Sequence, residues 1–116
     1  MQKLNKVMKA LSDETRLRIL NILLEREACV CEVMQVLGIS QSSASRNLGI
    51  LYDAGFLRLR RDGTWVFYSI DETEEFYVEL VGLVRRALKD DKFTEADRAR
   101  LRQVQPAISR RTKPAN

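Results

Sequence analysis

Histidine is absent from this 116-residue chain, and cysteine occurs twice, at Cys29 and Cys31. The first absence removes the side chain that most often binds zinc and most often serves as a general base. With no Gly-rich phosphate loop and no nucleophile–base constellation either, the chain is not read as an enzyme. Two cysteines two positions apart cannot staple a fold, so a reducing cytoplasm is the expected setting. No apolar run approaches the roughly 18 residues needed to span a bilayer. Met1 leads into an amphipathic helix bearing Lys3, Lys6 and Lys9, which is not the pattern of a signal peptide.

Net charge is also missing where it would be most informative. Residues 1–90 hold 13 Lys/Arg and 13 Asp/Glu, while residues 91–116 hold 7 against 3 and supply the whole +4. Overall basicity therefore belongs to the tail and says little about nucleic-acid binding by the domain. Segregation of charge says more. Between Ser40 and Ile70, Arg46, Arg58, Arg60 and Arg61 are opposed only by Asp53 and Asp62.

The length suits one domain with a tail, able to bury roughly two-thirds of its unfolded surface and so to form a core without metal. Residues 1–90 are expected to be the folded domain. Residues 91–116 are read as a basic tail, with a short helix over about Thr94 to Val104 and disorder from Pro106 to Asn116. Helical periodicity predicts a first helix over Gln2 to Leu11 with Leu4, Val7, Met8 and Leu11 on one side. Ser12 is the expected N-cap of a second helix carrying Leu17, Leu20, Leu23 and Leu24, widened by Ile19 and Ile22. A third runs from near Cys29 to Leu37, with Gly38 at its C′ position. Ser40 caps a fourth, about Gln41 to Ala54, whose inner stripe is Ala44, Leu48, Leu51 and Ala54. Two strand-like runs, Phe56 to Arg61 and Thr64 to Ile70, flank Asp62-Gly63 as a hairpin. A last helix over about Glu72 to Lys89 carries Phe76, Leu80, Leu83, Val84, Ala87 and Leu88. The fold class is mainly α with a small β-hairpin, in the order of a winged helix-turn-helix.

The fourth helix is the candidate reader of DNA. Gln41, Ser42, Ser43 and Ser45 are short donor–acceptors able to touch base edges or phosphates. Arg46 can take a phosphate or a guanine, and Asn47 can pair with adenine. A solvated polar helix face would look the same in isolation; the hairpin behind it favours the DNA reading. Arg58, Arg60 and Arg61 on the hairpin are assigned to backbone positioning beside the groove, with edge protection as the alternative. Strand alternation sets Arg58 and Arg60 opposite Leu57 and Leu59, and Trp65 opposite Tyr68.

Four segments, in order and at matching spacing over about residues 4 to 90, resemble the ArsR/SmtB family of metal-sensing repressors. They are Ala10 to Leu20, Gln41 to Leu48, Asp53 to Leu57 and Arg61 to Tyr68. Asn47 departs from the histidine common in that family. Glu27-Ala28-Cys29-Val30-Cys31-Glu32 further resembles the arsenite- or antimonite-binding segment of its arsenic-responsive branch. That branch adds a third thiol three residues later, where this chain has Met34. The resemblance implies a repressor released from its operator when arsenite or antimonite binds Cys29 and Cys31.

Chemistry agrees with the resemblance. Thiolates select soft metals and metalloids, and a helix N-terminus is expected to lower a thiol pKa. Side chains two apart point roughly 200° apart around a helix. Capture of one ion is therefore expected to unwind the start of the third helix and move the fourth through Gly38. The family's other branch holds zinc through histidine and carboxylates at the last helix. Here Asp71, Glu72, Glu74, Glu75 and Glu79 stand without histidine, so no zinc site is expected.

Two rival readings stay open. Cys29 and Cys31 could oxidise, giving a redox or sulfur-species sensor, although so short a loop strains a disulfide. The winged helix could instead bind protein, with inert thiols. The stripes of the first and last helices (Leu4, Val7, Met8, Phe76, Leu80, Leu83, Val84 and Leu88) exceed what a small monomer needs. They predict a homodimer on a palindromic operator with half-sites about 34–36 Å apart or a multiple of that.

Overall fold

A computed structural model describes residues 1–104. Six helices and three short strands follow in the order α1 (Gln2–Leu11), α2 (Glu14–Leu23), β1 (Ala28–Cys29), α3 (Val30–Leu37), α4 (Gln41–Asp53), β2 (Leu57–Asp62), β3 (Trp65–Ile70), α5 (Glu75–Leu88) and α6 (Lys92–Gln103). The winged helix-turn-helix expected from the order of elements is present. No described helix is long and apolar enough to cross a membrane. The expected disorder from Pro106 to Asn116 falls outside the described residues.

Helix α2 is the hub of the core. Ile19, Leu20, Ile22 and Leu23 are all buried, against Val7 of α1, Val33 and Val36 of α3, and Leu48 and Leu51 of α4. The cap of α2 is displaced by one residue from the expected Ser12. Asp13, in an extended conformation, accepts from the Arg16 N–H at 3.0 Å. Ser12 instead closes α1, its hydroxyl donating to the Lys9 carbonyl at 2.9 Å. A carboxylate facing the positive end of a helix outcompetes a hydroxyl one residue earlier. Gly38, at φ 68°, ends α3 in the left-handed region and turns the chain into α4, where the Ser40 hydroxyl accepts from Ser43 N–H.

The hairpin pairs Leu57 with Ile70 through to Asp62 with Trp65, so its two-residue turn is Gly63-Thr64 and not Asp62-Gly63. Gly63 has φ 62° and Thr64 does not enter positive φ, the pattern of turns that place glycine first. A strand that periodicity cannot detect joins the sheet. β1 pairs antiparallel with β3, Ala28 to Tyr68 and Cys29 to Phe67, giving the order β1-β3-β2.

Two expectations about the outer helices change. In α5 it is Tyr77 and Val81 that enter the core, while Phe76 and Leu83 are exposed. That helix begins at Glu75, three residues later than expected, because Asp71 accepts from both the N–H and the hydroxyl of Thr73 and holds the chain in a turn. Val7 is fully buried within the protomer, so it belongs to the core and not to an interface. Helix α6 packs on α2, and packing therefore runs past the boundary drawn at residue 90. Leu101 and Asp97 are buried, and Asp97 pairs with Arg18 at 2.8 Å and with Arg100. Asn21 completes the seam, donating to the Thr94 carbonyl at 2.9 Å and accepting from Arg98 at 2.6 Å.

Candidate nucleic-acid interface and thiol site

The polar face of α4 follows from its 3.6-residue period. Ala44, Leu48 and Leu51 bury one side, which leaves Gln41, Ser42, Ser45 and Arg46 exposed on the other. Ser43 is half-buried, with its N–H in the Ser40 cap and its carbonyl accepting from Asn47 at 2.9 Å. Asn47 does not lie on that outer face. It is 4% exposed, and its Oδ1 accepts from Arg16 Nη1 at 3.0 Å. Position 47 shares the inward side with positions 44, 48 and 51, so the expected adenine contact is replaced by a tie to α2.

On the hairpin, the side chains of Arg58 and Arg61 are exposed and make no hydrogen bond or ion pair among the described residues, while their backbones pair with β3. Arg46 is equally uncommitted. Arg60 is engaged. Its Nη2 and Nε donate to the two Glu27 carboxylate oxygens at 2.7 and 3.1 Å, and its guanidinium lies 4.6 Å over the Phe67 ring. The Glu27 hydrogen bond holds its pKa above the usual value. Arg60 therefore anchors the hairpin to the segment entering β1, and does not stand free for phosphate. Glu27 carried no signal of this role in the sequence, because the strand that brings it there is only two residues long.

The thiols sit where β1 becomes α3. Cys29 is the N-cap residue, extended at φ −90° and ψ 170°, and 2% exposed; Cys31 is exposed in the first turn. Because Cys29 lies outside the helix, the 200° divergence expected of two helical positions does not arise. Their Sγ atoms are 2.9 Å apart. Capture of one ion by both sulfurs thus requires no unwinding of α3. Burial, then the hydrogen bond with Cys31, pushes the Cys29 thiol up to about 12. The lowering expected from the helix N-terminus loses to desolvation at this sulfur.

Glu32 holds the turn in place. Its carboxylate accepts from the Cys29 N–H at 2.9 Å and from Arg26 at 3.2 Å. A Glu three residues after the N-cap is a capping signal legible in the sequence. Met34, where the third thiol of the arsenic branch would stand, packs against the main core. Among the described residues no three His, Cys, Asp or Glu side chains gather as a metal site. A ligand on the two sulfurs would complete its shell from solvent or from hydroxyl and amide oxygens.

Those oxygens are close by. The thiols open on a cleft of about 230 Å³ whose walls include Gln41 and Ser45 of α4 and Thr64, Trp65 and Val66 at the hairpin tip. Strand pairing ties the two sides together, since Cys29 is the rung opposite Phe67, and Trp65 stacks on Phe67 at 6.4 Å.

Residues 13–58 match the family described as "Bacterial regulatory protein, arsR family". The chain is 44% identical over 68 residues to a cadmium resistance transcriptional regulatory protein CadC homolog of Staphylococcus aureus, covering 58% of this chain and 56% of that protein. It is 35% identical over 75 residues to the arsenical resistance operon repressor of Bacillus subtilis, covering 64% and 71%. Its match thus spans little more than half the length of the first of these relatives. Among solved structures, HlyU of Vibrio cholerae superimposes with a TM-score of 0.68 at 31% identity, over 77% of this chain and 95% of that one. A homodimeric winged helix-turn-helix DNA-binding domain from Mycobacterium bovis, Mb0332, superimposes with a TM-score of 0.66 at 31% identity, over 78% and 82%.

Proposed function

This chain belongs to the arsR family of bacterial regulatory proteins, and we propose that it is a DNA-binding transcriptional repressor that arsenite or antimonite releases from its operator through Cys29 and Cys31. The observation that carries the reading is the 2.9 Å separation of the two sulfurs beside Gln41 and Ser45 of α4. Support also comes from the names of relatives, among them an arsenic resistance transcriptional regulator and two arsenical resistance operon repressors.

The chemistry balances without a redox step. Neutral arsenous acid, As(OH)₃, exchanges two hydroxides for two sulfurs. Two As–S bonds form, two As–O bonds break, and each hydroxide leaves with a thiol proton as water. A thiol held protonated by burial is no obstacle, because the incoming species carries its own proton acceptor. A bare divalent cation has none and must expel the Cys29 proton into water. That difference favours a hydroxylated metalloid over cadmium or zinc as inducer.

On DNA, α4 presents Gln41, Ser42, Ser45 and Arg46 to the major groove, and Arg58 and Arg61 position the hairpin on the backbone. Exposed Leu4, Met8, Phe76 and Leu83 supply the face on which two protomers meet, and the mycobacterial relative is itself described as homodimeric. The same sulfur separation favours one second reading, oxidation of the pair. Two thiols would then give a disulfide, with two protons and two electrons passing to a peroxide that is reduced to water and an alcohol, or to two waters from hydrogen peroxide.

Fluorescence anisotropy on DNA from upstream of the chain's own gene tests both. Arsenite should release the native protein and leave the Cys29→Ser/Cys31→Ser variant bound. Release by peroxide alone selects the second reading, and release of the double variant by arsenite sinks the first.

A further inference from the structure

Resting on the DNA-binding assignment above, we propose that the inducer and the duplex compete for a single cleft, so that occupation of the thiols displaces DNA directly. Gln41 and Ser45, one turn apart on α4, are exposed DNA-facing residues and also walls of the cleft into which Cys29 and Cys31 open. The same cleft is lined by Thr64 and Trp65 at the hairpin tip, the part of a winged helix that approaches the adjoining groove. A group seated on the sulfurs lies between the two elements that must straddle the DNA backbone.

The alternative, a distortion of α3 relayed through Gly38, meets resistance at both ends of that helix. At its start Glu32 is held by Arg26, which also donates to the Leu101 and Val104 carbonyls at the end of α6 at 3.5 and 3.4 Å. At its end the Val36 carbonyl accepts from Arg100 at 2.9 Å and the Leu37 carbonyl from Arg18 at 3.4 Å. Both of those arginines are bound to the fully buried Asp97. Helix α6 thus staples α3 to the core at each terminus, while the sulfurs already converge. A ligand can bind both thiols with α3 in place, and what it changes is the space in front of them.

Adducts on one sulfur separate the two mechanisms, because a single thiol cannot bridge and so cannot drive a distortion that depends on bridging. The Cys29→Ser variant keeps only the exposed Cys31. N-ethylmaleimide adds this sulfur across its ring double bond, the thiol proton ending on the neighbouring carbon. Iodoacetamide leaves a smaller group and releases iodide. We expect bound operator DNA to slow maleimide addition at least about tenfold, and the maleimide adduct to bind DNA at least about tenfold more weakly than the unmodified variant. The iodoacetamide adduct should lose less. Trp65, the only tryptophan, should change its emission on alkylation and on DNA binding alike. Equal alkylation rates with and without DNA, or full DNA affinity in the maleimide adduct, overturn the shared cleft. If arsenite fails to release the native protein while the adducts still lose DNA, the inducer reading falls and the shared cleft stands.

Discussion

Arg16 joins the end of α1 to α4 through Asn47. Its Nη1 donates to the Asn47 carboxamide oxygen at 3.0 Å, while Nε and Nη2 donate to the Ala10 and Lys9 carbonyls at 2.7 and 3.0 Å. Asn47→Ala removes the acceptor and leaves a largely buried guanidinium short of one partner. A loss of about 1–3 kcal/mol in urea unfolding is expected, the cost of an unsatisfied buried polar group. Operator and random DNA should weaken by the same factor. Selective loss at one base pair would instead place Asn47 on the bases.

The arginines near the duplex divide by what already holds them. Arg46, Arg58 and Arg61 are uncommitted, and each that meets a phosphate contributes about 0.9 to the slope of log affinity against log salt. Anisotropy titrations across a salt series should show that increment lost in the alanine variants of these three. Arg60→Ala should leave the slope unchanged and instead loosen the hairpin, since Arg60 is paired with Glu27. A slope change in that variant would mean that the pair opens on DNA.

Most of the architecture was readable because period and punctuation agree. Ala44, Leu48 and Leu51 mark the inner face of α4, and Gly38 marks the end of α3. What stayed hidden depends on partners far along the chain. A two-residue strand has no period, so nothing in Ala28-Cys29 foretold its pairing with Phe67 and Tyr68. The error at the thiols follows from it. Treating Cys29 as helical separates the sulfurs, and treating it as a strand residue brings them together. Asn47 was misplaced for a different reason: a polar side chain on an inward position looks outward until its partner, Arg16 on another helix, is known.

Asp97 ties α6 to the domain. It is fully buried and flanked by Arg18 and Arg100, and its carboxylate raises the Arg18 pKa chiefly through their hydrogen bond. Asp97→Ala leaves Arg18 without its counter-ion at a site mostly shielded from water. Breaking such a pair typically costs about 3–5 kcal/mol, and the half-exposed Arg100 places this case near about 3 kcal/mol. Urea denaturation measures it. A change below about 0.5 kcal/mol, the range of ordinary surface substitutions, would show that α6 adds little to the fold.

Leu83 is 56% exposed on α5, two turns from the exposed Phe76, and α1 exposes Leu4 and Met8. A charge there is nearly free for a lone protomer and costly at an apolar interface. Leu83→Glu should therefore sediment as a monomer at micromolar concentration with its unfolding midpoint measured as a monomer little changed, and lose operator affinity. If the native chain itself sediments as a monomer, the face serves another purpose.

The protonation of Cys29 sets opposite pH dependences for two kinds of inducer. With its thiol at about 12, Cys29 stays protonated between pH 6 and 8. Cadmium must displace that proton, so its affinity should rise about tenfold per pH unit. Arsenous acid carries the protons away as water, so its affinity should be flat over the same interval. Preformed thiolates would reverse the pattern: cadmium affinity would be flat, and arsenite affinity would fall with rising pH because hydroxide is released. The same group acts on stability. A thiol raised on folding contributes stability that is intact below its unfolded value of about 8.5 and is lost as pH climbs toward 12. Trp65 emission, titrated with each inducer at pH 6, 7 and 8, reads both slopes in one experiment. An arsenite affinity that drops steeply across that series would mean that the buried sulfur is ionised in the native fold.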